Sequence, residues 1–182
     1  MTALIILAVL VILAIIIIGI YNRLVALRQN CRQGVADIDA QLRQRHDLVP
    51  NLVNTVKGYA THERETLDAV IAARNTAAAE PSSENEAQLK LSLDRLLALG
   101  EAYPDLKASA NFQTLQGELA DLEDKLAAAR RALNAAVARF NAAIESFPAV
   151  VFAGMLGFRH EDFNRLDASE KGIVDQVPDV KF

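Results

Sequence analysis

The chain has a single cysteine, Cys31, so no disulfide can close within it and cysteine usage does not mark a redox compartment. Just before that cysteine stands Leu27-Arg28-Gln29-Asn30, not the short run of small and apolar residues that a bacterial lipid-anchor site needs. Cys31 is therefore read as a small, half-buried seam residue. Aromatic residues make up only 5% of the chain, while alanine and leucine dominate an apolar share of 52%. That balance disfavours a β-sandwich or barrel and favours helices. There is no run of five basic residues, and the net charge is −4. Nucleic-acid binding has no electrostatic support. The chain also lacks G-x-S-x-G, a P-loop and G-x-G-x-x-G.

What is present begins with residues 3–20, ALIILAVLVILAIIIIGI, which contain no charge. Eighteen helical residues reach about 27 Å, close to the hydrocarbon thickness of a bilayer. A cleaved signal peptide would have a basic start, a shorter apolar core and a small-x-small cleavage site. Only Met1 and Thr2 precede this run, and isoleucines fill its end. An uncleaved single-pass anchor is expected over 1–22, with Tyr21 at headgroup level. Arg23, Arg28 and Arg32 follow the span. By the positive-inside rule they place the remaining chain in the cytoplasm of a bacterial cell and the N-terminus outside its inner membrane. The bilayer is the first partner implied.

Past the span a 3-4 rhythm sets in: Arg28, Cys31, Val35, Ile38, Leu42, Arg45, Val49, Leu52, Val56, Tyr59, Glu63, Leu67, Val70 and Arg74. This is the stripe of a helix packed on other helices. Its phase holds across Pro50, which favours one long helix kinked near His46–Pro50 and weakened again at Gly58. The alternative is a new helix capped by Asp47 with Pro50 in its first turn. Glu80-Pro81-Ser82-Ser83 breaks the pattern, and Ser83 with Glu86 fits a capping box. A second helix carries Leu89, Leu93, Leu96, Leu97 and Gly100, ending before the turn at Tyr103-Pro104-Asp105. Residues 105–110 read equally as a helical turn or a loop.

A third long helix spans about Asn111 to Phe147. Its seam alternates four and three through Leu115, Leu119, Leu122, Leu126, Ala129, Leu133, Ala136, Phe140, Ala143 and Phe147. Residues 147–158, FPAVVFAGMLGF, are apolar but too short to span a bilayer. They read as a short helix closing one end of the bundle, or else as an interfacial or partner-docking segment. The expected fold is all-α: a transmembrane helix continuing into an antiparallel up-down helical bundle of about four helices. Residues 23–158 form the cytoplasmic bundle, and 159–182 a C-terminal tail in which Pro178, Val180 and Phe182 can pack back.

Candidate functional residues are few. His62-Glu63 matches half of H-E-x-x-H, but Thr66 stands where the second ligand would be. His46 and His62, sixteen residues apart, fall about 160° apart around a straight helix. Asp37 and Asp39 face differently and make no carboxylate dyad. No catalytic residue, metal site or cofactor is assigned. Arg45 and Glu63 are charged steps in an apolar seam, and a buried charge needs a partner. Glu123 is the candidate partner for Arg45 and Arg130 for Glu63. Both charges otherwise reach the domain edge. Paired, they set register within the bundle or between subunits. A second stripe, Asp47, Asn51, Asn54, Gly58, His62 and Glu65, is polar. It reads as a solvated face or, with His46 beside it, as a contact surface for a membrane-protein partner.

The chain resembles the LemA family of bacterial membrane-anchored proteins over nearly its whole length. The resemblance rests on Tyr21-Asn22, Leu24-Val25, Ile38-Asp39, Gln41-Leu42 and the block Arg45-His46-Asp47-Leu48-Val49-Pro50-Asn51-Leu52-Val53. It continues through Lys57-Gly58-Tyr59-Ala60, His62-Glu63, Ala73-Arg74 and Glu101-Ala102-Tyr103-Pro104-Asp105-Leu106-Lys107-Ala108. Asn111-Phe112, Leu115-Gln116 and Phe147-Pro148 complete it. The resemblance implies an N-terminal transmembrane helix with its N-terminus outside, a cytoplasmic antiparallel bundle and no established catalytic activity. A related protein takes part in forming magnetosome membranes, which implies membrane organisation. Three places depart from the family pattern. Gly34-Val35-Ala36 stands for Ala-Trp-Ser, and Leu133-Asn134 and Phe140-Asn141 stand for paired Tyr-Asn steps. The contacts of those lost rings do not carry over. The expected role is a self-assembling, homo-oligomeric, non-enzymatic scaffold or membrane organiser. The alternative is an adaptor docking a membrane enzyme such as a protease.

Overall fold

A computed structural model describes residues 1–160, of which 85% are helical, with no strand among them. The expectation that Pro178, Val180 and Phe182 pack back lies outside the described residues. Four long helices carry the fold: α1 (Thr2–Lys57), α2 (Arg64–Ala79), α3 (Ser83–Ala102) and α5 (Ala110–Glu145). Two single turns, α4 (Pro104–Lys107) and α6 (Ala149–Phe152), complete it. The ambiguous stretch after Tyr103 is thus a helical turn started by Pro104 at its first position, where the missing N–H has no partner to lose.

α1 contains a stretch long and apolar enough to cross a membrane, and none of that stretch is buried. The helix runs through Pro50 without a break and ends at Lys57, short of the Glu63 step expected on it. Gly58 therefore lies just past the end of α1 instead of bending it. Tyr59 is exposed and Ala60 takes the buried place. Glu63 begins α2. The 3-4 rhythm persists because the turn between the helices is short, and α2 buries Leu67 and Val70 at the spacing that a continuous helix would have given. α3 is capped one residue earlier than expected. Ser82 Oγ accepts from Asn85 N at 3.1 Å, which frees Glu86 from any capping box.

Contacts divide the chain into two units. Among the described residues, the first contains Met1–Ile38 and residues 128–160. Leu24, Cys31, Ile38, Leu133, Phe140 and Phe158 are buried in it. The helices approach closely at Gly34, where an added Cβ would lie 3.1 Å from Leu133 Cδ1 and 3.3 Å from its Cα. Two of the departures from the family pattern thus meet each other: the residue without a side chain faces the leucine that replaces a ring. Phe147, expected at the end of the α5 seam, lies beyond α5 and is exposed.

The second unit, Asp39–Ala127, holds the larger apolar core. Leu52, Val56, Val70, Leu89, Leu96, Leu106 and Phe112 are among its largest fully buried side chains. In this unit α1 and α5 run antiparallel. Arg45 pairs with Glu123, while Asn51, Asn54 and Thr55 share a shallow groove with Asn111, Thr114 and Leu115.

Candidate functional site: a buried ion cluster on α1

The α1 seam of the second unit is apolar at Leu42, Val49 and Leu52, and charged at Arg45. Helical spacing turns Arg45 inward with its neighbours and leaves its side chain nearly sealed, at 3% exposure. Its guanidinium then needs acceptors from other helices. Nη1 donates to Glu123 Oε1 on α5 at 2.8 Å, the pairing anticipated from the sequence. Nη2 donates to Glu86 Oε2 on α3. Glu86 is also 3% exposed, and its other oxygen, Oε1, lies 2.9 Å from His46 Nε2. An ionised carboxylate only accepts, so Nε2 carries the hydrogen of that bond. Lys90 extends the charge outward, 4.0 Å from Glu123 Oε2 and 3.6 Å from Asp94.

Pro50 is accommodated by the same turn of α1. Its ring nitrogen cannot donate to the carbonyl of His46, four residues back. Arg74 Nε of α2 donates to that carbonyl instead, at 3.3 Å. Two consecutive residues, Arg45 and His46, therefore fasten α1 to α2, α3 and α5. The proline generates an acceptor that a second helix uses, so a residue that breaks most helices here serves as an attachment point.

Glu63 does not join this cluster. Its Oε1 accepts from Tyr103 OH at 2.9 Å, in place of the expected Arg130. The correction follows from the end of α1: a residue opening α2 reaches the α3–α4 junction, not a partner on the α5 seam. That hydrogen bond raises the Tyr103 pKa above its usual value, helped by partial burial and by the charge of Glu63.

The polar stripe is not a single helical face. Asp47, Asn51 and Asn54 are exposed on α1, Gly58 and His62 are exposed in the turn, and Glu65 is exposed on α2. Asp47 does not cap a helix, since α1 continues on both sides of it. His46 belongs to the interior and not to this face. Beside the stripe, Gln44, Asp47 and Leu48 line a second groove with Glu118, Asp121, Leu122 and Lys125. Among the described residues no group of three or more His, Cys, Asp or Glu side chains is placed to hold a metal ion.

Glu86 is the residue that sequence reasoning missed. Its position three before Leu89 extends the α3 rhythm Leu89, Leu93, Leu96 and Gly100 backward, which marks it as an inward step. The nearby serine drew it into a capping box instead. Both Glu86 oxygens are occupied, and Arg45 and Glu86 are nearly sealed, while Arg45 Nε is buried without a hydrogen-bond partner and Glu123 is partly exposed.

The LemA family model matches residues 34–182, most of the chain but none of the apolar run, and the chain belongs to that family. No curated protein matches it.

Proposed function

For this member of the LemA family, we propose a non-enzymatic, single-pass membrane protein that serves as a scaffold or membrane organiser. The apolar run of α1 crosses the bacterial inner membrane with the N-terminus outside. Arg23, Arg28 and Arg32 hold the following helices on the cytoplasmic side. The observation that carries this reading is the Arg45–His46–Glu86–Glu123 cluster. Its ion pairs join α1 to α3 and α5, as fasteners between helices do. Because Arg45 has its acceptors within its own chain, self-assembly would use outer surfaces and not this seam.

A second reading, an adaptor docking a membrane enzyme such as a protease, draws on the grooves along α1. Asn51 and Asn54 with Asn111 and Thr114 offer amide and hydroxyl groups to a partner. Purification of the full-length protein from native membrane separates the two. Large homo-oligomers or curved membranes support the scaffold. A stoichiometric foreign protein, lost on Asn51→Ala and Asn54→Ala, supports the adaptor. Turnover abolished by His46→Ala would overturn both.

A further inference from the structure

In the first unit, α5 returns alongside α1 toward the apolar run. Leu133 lies against Gly34, and farther along α5 the Phe140 ring meets Phe158, which also meets Tyr21. At about 1.5 Å per residue, the twelve residues from Leu133 to Glu145 carry α5 about 18 Å. That brings its end level with about Asn22, where the charge-free run gives way to Arg23. The chain then turns at Phe147-Pro148, and the next residues divide into two sets. Ala149, Ala153 and Phe158 are buried. Phe147, Val150, Val151 and Met155 point away, at 84%, 54%, 57% and 86% exposure. Four apolar side chains standing free within nine residues are out of place in water.

Their height decides what covers them. Phe158 pins the segment to the membrane end of α1, with the Tyr21 ring edge-on at 5.7 Å and the Arg28 guanidinium 4.9 Å from its centroid. Arg23, two residues past Tyr21, and Arg159, the residue after Phe158, are exposed, as suits a level where lipid headgroups carry negative charge. We infer that residues 147–156 form a second membrane contact. Phe147, Val150, Val151 and Met155 insert into the headgroup–acyl boundary of the bilayer that α1 crosses, without spanning it. This rests on the membrane-crossing reading of α1.

The chain has no tryptophan, so a single introduced indole reports its own surroundings. Full-length Val151→Trp, Met155→Trp and the milder Phe147→Trp are reconstituted into phosphatidylcholine–phosphatidylglycerol vesicles brominated at shallow or deep acyl positions. Leu10→Trp marks the span and Ala120→Trp a water-exposed face. The expected result is a blue shift and loss of emission to shallow bromines at 147, 151 and 155. Leu10→Trp should lose emission to deep bromines, and Ala120→Trp to neither. If Leu10→Trp is quenched but the three others emit like Ala120→Trp, the interfacial contact is overturned and the span stands. A blue shift without bromine quenching means that a second copy or another protein covers the patch, and likewise overturns it. An unquenched Leu10→Trp overturns the span and the contact with it.

Discussion

The two units of the chain are held together by different chemistry. In the first, helices approach through a glycine and edge-on rings. Gly34 lies under Leu133, and Phe158 lies between Tyr21 and Phe140. The second has an apolar core and, besides it, a nearly sealed arginine, histidine and glutamate bonded to one another. Apolar packing is non-directional and tolerates repacking of similar volume. An arginine fork holding two carboxylates is directional, and it has one register in which both are reached. The second unit is therefore expected to be less tolerant of single changes and more precise in alignment.

The sharpest way to break this contrast is Glu86→Ala. It leaves the Arg45 and His46 donors buried without their shared acceptor, which costs about 3–5 kcal/mol and should appear as a large fall in melting temperature. Replacing the pair together, Arg45→Leu with Glu86→Leu, should recover part of that loss, since buried ion pairs often exchange for apolar residues at little net cost, while the His46 donor stays without its acceptor. If the double variant melts no higher than Glu86→Ala, the unpaired Arg45 charge is not what makes Glu86→Ala costly. Arg45→Leu alone should lower stability without changing oligomer size, which separates a role within the bundle from one between subunits.

The first unit is tested by Gly34→Val. A branched side chain against Leu133 forces the helices apart, at about 1–3 kcal/mol, partly offset by the better helix propensity of valine over glycine. Gly100→Ala narrows the contrast, because the second unit has its own close approach. There a Cβ would come within 2.9 Å of the Phe112 ring. Equal losses at both sites, read by thermal melts, would show that close packing matters alike in the two units and that only the ion cluster distinguishes them.

A smaller effect belongs to the proline. Arg74→Ala should cost about 1 kcal/mol by orphaning the His46 carbonyl. The cost should shrink in a Pro50→Ala background, where a backbone N–H again reaches that carbonyl. Additivity in this double-mutant cycle would mean that the Arg74 hydrogen bond does not compensate for Pro50.

The smallest effect is alkaline. The Tyr103 pKa is raised when folded, so above pH 10.0 the unfolded chain loses this proton first. The stabilisation is complete below that pH and is lost as pH rises through the folded value. Tyr103→Phe should flatten this part of the stability–pH profile measured by denaturant unfolding.

Much of this architecture is legible from periodicity. Cys31, Ile38, Leu42, Val49, Leu52, Val56, Leu67 and Val70 are all buried where the 3-4 stripe places them. On α5 the same holds for Leu119, Leu122, Leu126, Leu133 and Phe140. The Arg45–Glu123 pair was also legible, since an inward charge demands an opposite one on a facing helix. The end of α1 at Lys57 was not, because the stripe resumes in phase on α2. The roles of Glu86 and Tyr103 were hidden for another reason. A serine three residues before Glu86 offered a local use for it, and nothing near Tyr103 in sequence points to Glu63.

By itself, the sequence determined the helical class, the span-length apolar run and the faces each helix buries, because these follow from residue spacing along a single helix. Only the tertiary structure decided which groups answer Arg45, His46 and Glu63, and how Pro50 keeps its helix intact. It also decided that the segment after Phe147 is half buried and half exposed. Those outcomes depend on side chains some 30 to 80 positions apart meeting at hydrogen-bond distance, or on a turn that periodicity does not record.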